Sequence, residues 1–292
     1  MRELKALFYL APALLVLGVF TVYPIVASFL LSLYADYDYF HDVVYRYGLD
    51  NYVYLYHDPD FRLALRNTLI FVMGVVPTSL FLSLGIALLL EKPLGLSGLF
   101  RTIYFIPTVT STVAVAVVWR WIYHTDYGLL NYFLSLFHLD PIPWLTRPRW
   151  ALPALILFAV WKSLGYNILL FLAGLSQIPK AYHDAARIDG ASSFQRLRRI
   201  TWPLLSPTTF FVAVVGFIGA FKVFDEVYAL FGGQPGPVNS ALTLVYYIYG
   251  KFFREQDYAV ASAAAYVLFA ITLVFTLGQF WLARKRVHYL GG

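Results

Sequence analysis

Six stretches of the chain are apolar for about the length that carries a helix across a bilayer, and polar residues are confined mostly to the segments between them. These runs are Leu7 to Leu33, Asn67 to Leu90, Thr102 to Trp119, Trp150 to Ser176, Ile200 to Phe221 and Tyr258 to Ala283. A spanning helix needs about 20 largely apolar residues, so each run predicts one crossing. The first run has 27 residues, far beyond the roughly 7–15 of a signal-peptide core, and is expected to stay as a span. Prolines fall inside the runs at Pro12, Pro24, Pro77, Pro107 and Pro153, where kinks are expected. The outer segments 34–66, 124–149 and 222–257 are long enough for short helices and too short for a separate domain. The predicted organisation is a first helix with its outer segment (1–66), a five-helix core (67–283) with an inner loop at 177–203, and a tail (284–292).

Composition agrees with the pattern. Of the 292 residues 60% are hydrophobic and only 13% charged, whereas a soluble domain carries about 25% charge. The net charge is +6 and there is no cysteine, which excludes a disulfide framework, a thiol nucleophile and a thiolate metal site. The charges sort by side. With the N-terminus inside, the inner pieces hold twelve basic against four acidic residues, a net +8, and the outer pieces eight against twelve, a net −4. Lysine and arginine accumulate on the cytoplasmic side, so six spans with both termini inside is the consistent solution. The basic excess then reports topology and does not call for nucleic acid. Tyr34, Tyr37, Tyr39, Trp119, Trp121, Trp144 and Trp150 sit at interfacial depth; they fit an aromatic belt better than a sugar platform.

Chemistry of other kinds is missing from the sequence. The six histidines are scattered without metal-ligand spacing, and there is no Walker A loop, nucleophile elbow or zinc-protease helix. The stretch Gly232-Gly233-Gln234-Pro235-Gly236-Pro237 reads as a turn. No cofactor or metal is expected on this chain, and no catalysis.

One inner loop is different. In 177–203, Pro179 suits a helix first turn, Ala181, Ala185 and Ile188 form an apolar stripe, and Asp189-Gly190 ends the helix. Ser192 with Gln195 makes a capping box for a second helix, with Phe194, Leu197 and Ile200 on one face and Arg196, Arg198 and Arg199 in water. Two short helices at a glycine corner make either a docking knob for a soluble partner or an amphipathic connector resting on anionic headgroups.

Asp184-Ala185-Ala186, Asp189-Gly190-Ala191, Ile200, Pro203 and Pro207 resemble the cytoplasmic E-A-A, D-G-A signature of ABC-importer permeases. Trp161-Lys162, Ala173-Gly174-Leu175, Ile178-Pro179 and the segment Phe224-Asp225 to Gly232-Gly233 extend the resemblance to the carbohydrate-uptake permeases related to the maltose and glycerol-3-phosphate systems. Asp184 stands where the family has Glu, and Leu197 where it has Phe. The resemblance implies an all-α type I importer permease in the inner membrane of a prokaryote, importing a sugar or oligosaccharide. It implies a second, non-identical permease, two copies of a cytoplasmic ATPase that uses ATP and Mg, and an extracytoplasmic solute-binding protein. It places ATPase coupling on Asp184, Ala185, Ala186, Asp189, Gly190 and Ala191. A glycerophosphate importer is the alternative within the class; a stand-alone secondary carrier is a weaker one, since the spans show no mid-span acid.

Lys162 lies near the middle of the fourth run, where a lipid-facing lysine is unfavourable by roughly 2.5–3.5 kcal/mol, so it is expected to face the interior. Trp161, Ser163, Tyr166 and Asn167 around it are candidates for a solute path, against the alternative of a structural lysine paired with a carbonyl or carboxylate across the interface between the two permeases. Lys222, at the outer end of the fifth run, is a further path candidate, but Asp225 and Glu226 at i+3 and i+4 favour a local pair.

Overall fold

The computed structural model describes residues 2–38, 41, 43–91 and 97–284, with the side chains of 2–8, 36 and 97–101 excepted. Most of the tail, with Lys285 and Arg286, and the flanking Lys92 lie outside the described residues. The structure is overwhelmingly helical, and by Cα packing it divides into two compact units, residues 1–62 with 247–270 and residues 63–246 with 271–292.

In the first unit, α1 (Arg2–Leu17) and α2 (Tyr23–Ser32) are joined by a π turn, Gly18–Val22. Pro24 has no N–H to return to Phe20, and the ladder is carried past it by the wider Tyr23 N–H to Gly18 C=O bond. The outer segment was expected to hold only short helices, but it opens with an antiparallel hairpin, β1 (Tyr34–Asp38) and β2 (Val43–Tyr47). Aromatic and β-branched residues in this segment favour a pleated surface, and Tyr34 and Tyr47 pair directly across it with ring centroids 5.4 Å apart. α3 (Asp50–His57) follows, and the buried Asn51 amide ties it to the hairpin base by donating to Ser32 and Tyr34 carbonyls at 3.0 and 2.9 Å.

The second unit contains the long helices and the loops that frame the site. α4 (Pro59–Leu90) starts in the first unit and runs unbroken through Pro77. The expected third crossing is two helices, α5 (Ser97–Val109) and α6 (Thr112–Ile122), meeting at 112°. Pro107 removes a donor one turn before the end of α5, and Ser111 is extended (φ −54°, ψ 130°), so the chain restarts in a new direction at Thr112. α7 (Leu129–Leu136) lies in the next outer segment, held by Asn131, whose side chain binds Thr125 and Ile142 carbonyls, the Ile142 N–H and the Trp144 indole. α8 (Pro148–Ser176) is the central helix, with Pro153 tolerated near its start.

α9 (Lys180–Ile188), α10 (Ser193–Arg196), a π turn at Leu197–Thr201 and α11 (Trp202–Leu204) lead into α12 (Ser206–Phe221). The expected run Ile200 to Phe221 therefore also bends, by 63°, between Pro203 and Pro207. α13 (Asp225–Leu230), α14 (Leu244–Tyr249) and α15 (Tyr258–Ala283) complete the fold. Among the described residues four helices are long and apolar enough to cross a membrane, or up to six if each bent pair is one span.

Packing around α8 is dense. Leu84, Ala87, Ile168, Phe171, Leu175, Leu205 and Val212 form its buried cluster. A Cβ at Gly165 would stand 2.1 Å from the Tyr104 carbonyl oxygen, so glycine is required where α8 meets α5. Asn67 and Thr68 of α4 pin the strand-like stretch before α14: the Asn67 amide donates to Ser240 and Leu242 carbonyls, and the Thr68 hydroxyl accepts from Leu244 N–H at 2.9 Å.

Candidate solute cavity and coupling knob

Halfway along α8, a cavity of about 280 Å³ opens between α4, α5, α8, α12 and α13, near the low end of small-molecule sites. Its α12 wall is partly bare backbone: beside Val215 and Ala220, a Cβ at Gly219 would meet nothing within 4 Å, and one at Gly216 would only touch Val76. The α4 wall is apolar, with Phe71, Val75 and Val76.

Four of the six path candidates converge here: Lys162, Ser163, Tyr166 and Asn167 all line the cavity. Trp161 is absent from its lining and packs edge-on to Trp119, ring centroids 5.2 Å apart, in an aromatic group with Phe158 and Tyr123. Lys222 caps the end of α12, exposed to solvent, and does not line the cavity.

Lys162 points inward and is about one-fifth exposed. Its ammonium donates to Glu226 Oε1 at 2.9 Å and to the Thr112 hydroxyl. The expected local pair of Lys222 with Glu226 is thus replaced: Glu226, in the first turn of α13, turns to Lys162, 64 residues away in sequence. The first turn of a helix favours a carboxylate, and α13 begins where the Phe224 backbone leaves α12, which aims Glu226 at α8. Thr112 reaches Lys162 only because the chain breaks before α6. Sequence reasoning missed both partners, since each depends on a bend or loop that hydropathy does not report.

The remaining polar groups are unspent. Asn167 is 8% exposed and its amide has no hydrogen-bond partner among the described residues, and the Thr108 hydroxyl is buried without one. Ser163 and Ser79 donate to their own helices, at Val160 and Val76 carbonyls, leaving oxygen lone pairs available. Tyr166, 43% exposed, adds an aromatic face. An array of uncharged donors and acceptors with a ring face suits a polyhydroxyl solute. A second, larger hollow of about 840 Å³ lies between the end of α6 and the 230–237 turn, beside Arg120, Trp121, His124 and Gln234. Among the described residues no three His, Asp or Glu side chains converge to hold a metal ion.

The 177–203 loop forms a projecting knob. Pro179 is the residue before α9, one position earlier than the expected first-turn place. The helix ends in a Schellman arrangement: Gly190, at φ +76°, donates to the Arg187 carbonyl and Ala191 to the Ala186 carbonyl. Two residues later Ser192 and Gln195 close a reciprocal capping box. Asp184, Ala185, Asp189 and Gly190 are exposed, Ala186 and Ala191 half-buried, and Ile188 at the tip is 87% exposed. Asp184 pairs with Arg187 at 3.2 Å, both largely in solvent, which is worth about 0.2–0.5 kcal/mol at most.

Relatives similar in sequence cover nearly the whole chain. The lactose transport system permease protein of Rhizobium radiobacter is 37% identical over 97% of this chain and 95% of its own length. The trehalose/maltose transport system permease protein of Thermococcus litoralis is 34% identical over 98% and 96%. A solved bacterial ABC transporter involved in importing the acidic polysaccharide alginate superposes with a TM-score of 0.82 at 25% identity, covering 97% of this chain and 96% of that one. A bacterial alginate ABC transporter solved in complex with an alginate pentasaccharide-bound periplasmic protein superposes equally well, with a TM-score of 0.82 at 25% identity. Residues 84–288 match the family of binding-protein-dependent transport system inner membrane components, and the chain, a multi-pass inner-membrane permease, belongs to that family.

Proposed function

We infer that this chain is one permease half of an ATP-driven importer for a sugar or oligosaccharide. It pairs with a second, non-identical permease, receives solute from an extracytoplasmic binding protein, and couples through the 177–203 knob to two copies of an ATPase that holds the ATP and Mg. The chain itself does no chemistry. It crosses the membrane six times, the two bent helix pairs each counting once, with both termini inside.

The observation that carries the reading is the cavity. Among apolar helices, where unsatisfied polar groups are unfavourable, the buried Thr108 hydroxyl of α5 has no protein partner, and the Asn167 amide of α8 lines the same cavity. A hydroxylated solute satisfies them. The names of the relatives, which include permeases for lactose and for trehalose/maltose, support a sugar, and nothing in the cavity favours a glycerophosphate, because its lysine is already paired.

The test is ATP-driven uptake by the complete transporter reconstituted in vesicles, with its binding protein and a panel of labelled sugars. For whichever sugar is accumulated, Asn167→Leu should raise the concentration for half-maximal uptake about tenfold or more, with assembly unchanged. Unaltered uptake in this variant, or no ATP-dependent sugar accumulation at all, would reject the reading.

A further inference from the structure

Among the described residues lining the cavity, only Lys162 and Glu226 carry charge. Their separation of 2.9 Å makes them a dipole rather than two poles as seen by a solute. Both hydrogen bonds that the structure gives to the ammonium go to protein atoms, Glu226 Oε1 and Thr112 Oγ1. The groups left for a solute, the Asn167 amide and the Thr108 hydroxyl, are uncharged, and the other nearby cation, Lys222, stands outside the cavity. Without Glu226 the same cavity would hold one uncompensated positive charge within reach of its occupant.

We propose that Glu226 determines the charge class of the solute: by cancelling Lys162 it makes the cavity accept uncharged polyhydroxyl solutes and turn away anionic ones. The proposal rests on the sugar-permease reading and narrows it. A purely structural ion pair would stabilise the junction of α8 and α13 without setting the electrostatic potential that an occupant meets, and the two roles separate by experiment.

The chain has no native cysteine, and Gly219→Cys places a thiol on the bare α12 wall where a Cβ meets nothing. In the assembled complex this cysteine is modified with an anionic and with a cationic methanethiosulfonate and followed by the mass of this chain. The ratio of the two rates cancels the thiolate fraction, which both reagents share, and reports local potential. Glu226→Gln keeps the shape and an acceptor for Lys162 while removing the negative charge; it should raise the anionic-to-cationic ratio about tenfold or more. Lys162→Gln should lower it similarly, and the double variant Lys162→Gln/Glu226→Gln should return it to that of the parent. In the parent, lactose should protect the cysteine and its carboxylate-bearing counterpart lactobionate should not; in Glu226→Gln lactobionate should protect.

Ratios unchanged in both single variants would overturn the proposal, as would a double variant no closer to the parent than the singles. A ratio that shifts as expected while neither sugar protects in any variant would support the electrostatic role of Glu226 and exclude lactose as the occupant, the sugar reading itself being tested by the uptake panel.

Discussion

Gly165→Ala tests how closely α5 and α8 must approach for the cavity to exist. The added methyl would lie 2.1 Å from the Tyr104 carbonyl oxygen, 2.6 Å from Thr108 Oγ1 and 3.1 Å from the Tyr104 carbonyl carbon. Ordinary contact begins near 3.4 Å, so the two helices must part by about 1 Å, and the obstructing atoms are backbone, which cannot rotate aside. Overpacking of this kind is unfavourable by about 1–3 kcal/mol, and a backbone clash belongs at the upper end. Two other α8 and α12 glycines calibrate the effect. At Gly174 the nearest atom to a methyl is the Thr208 hydroxyl at 2.4 Å, a side chain that can turn, so Gly174→Ala should fall near the lower end. At Gly219 nothing obstructs, and Gly219→Ala should be neutral or stabilising by up to about 1 kcal/mol through helix propensity. Thermal unfolding of the three purified variants in one detergent should rank Gly165→Ala below Gly174→Ala below Gly219→Ala. A Gly165→Ala protein as stable as Gly219→Ala would refute the close approach of α5 and α8.

Three further outcomes are expected. Asn131→Ala strips three carbonyls, one N–H and the Trp144 indole of a shared partner, each unmet group being unfavourable by about 1–3 kcal/mol when buried; segment 124–149 should show faster hydrogen exchange, and unchanged exchange there would contradict the hub. Gly190→Val forces a β-branched residue into a left-handed backbone at φ +76°, unfavourable by about 1–2 kcal/mol, so the knob should distort while insertion is unaffected; normal solute-stimulated ATP hydrolysis in the complex would mean that the corner is a mere connector. Lys251, 8% exposed, bonds Glu255 at 2.7 Å and Tyr54 at 3.2 Å and sits 3.9 Å from Asp58, which accepts from Tyr247. Lys251→Met should destabilise by the lower end of about 3–5 kcal/mol, since Asp58 keeps the Tyr247 hydroxyl. Burial pulls the Lys251 ammonium down, but its bonds to Glu255 and Tyr54 outweigh that and hold it above the usual lysine range. The parent's advantage over Lys251→Met should therefore be complete below the ordinary lysine range and disappear only as pH rises through the elevated value, read as melting temperature against pH; an advantage already gone in mild alkali would sink this account.

What the sequence made legible divides by the kind of signal. Runs such as Trp150 to Ser176 and Tyr258 to Ala283 appear as α8 and α15 nearly to the residue, because hydropathy and length suffice to mark a buried or lipid-facing helix. The corner at Gly190 and the capping box at Ser192 were equally readable, being chemistry within four residues. Direction was legible only in part: the kink expected at Pro107 appears as the 112° break just after it, at Thr110 and Ser111, but an apolar run gives no angle. The hairpin at 34–47 was not anticipated, since the length of the outer segment suggested only short helices, while its aromatic and valine residues set the pleat. Lys162 was singled out by the cost of a charge in mid-span, yet its partner could not be, since i+4 from Lys222 gave Glu226 a nearer and mistaken claimant.

The knob and the glycine wall of the cavity belong to one interrupted rod. From the capping box at Ser192 the chain is helical through α10, the π turn and α11, turns 63° at Leu205, and continues as α12 to Phe221. Gly219 stands thirteen residues beyond Ser206, a lever arm of about 20 Å at 1.5 Å per residue. A tilt of about 10° at that joint carries Gly219 sideways by about 3 Å, roughly the diameter of a water molecule. Where that wall is glycine, at Gly216 and Gly219, no side chain would follow to fill the gap, so the joint angle and the width of the cavity are geometrically tied.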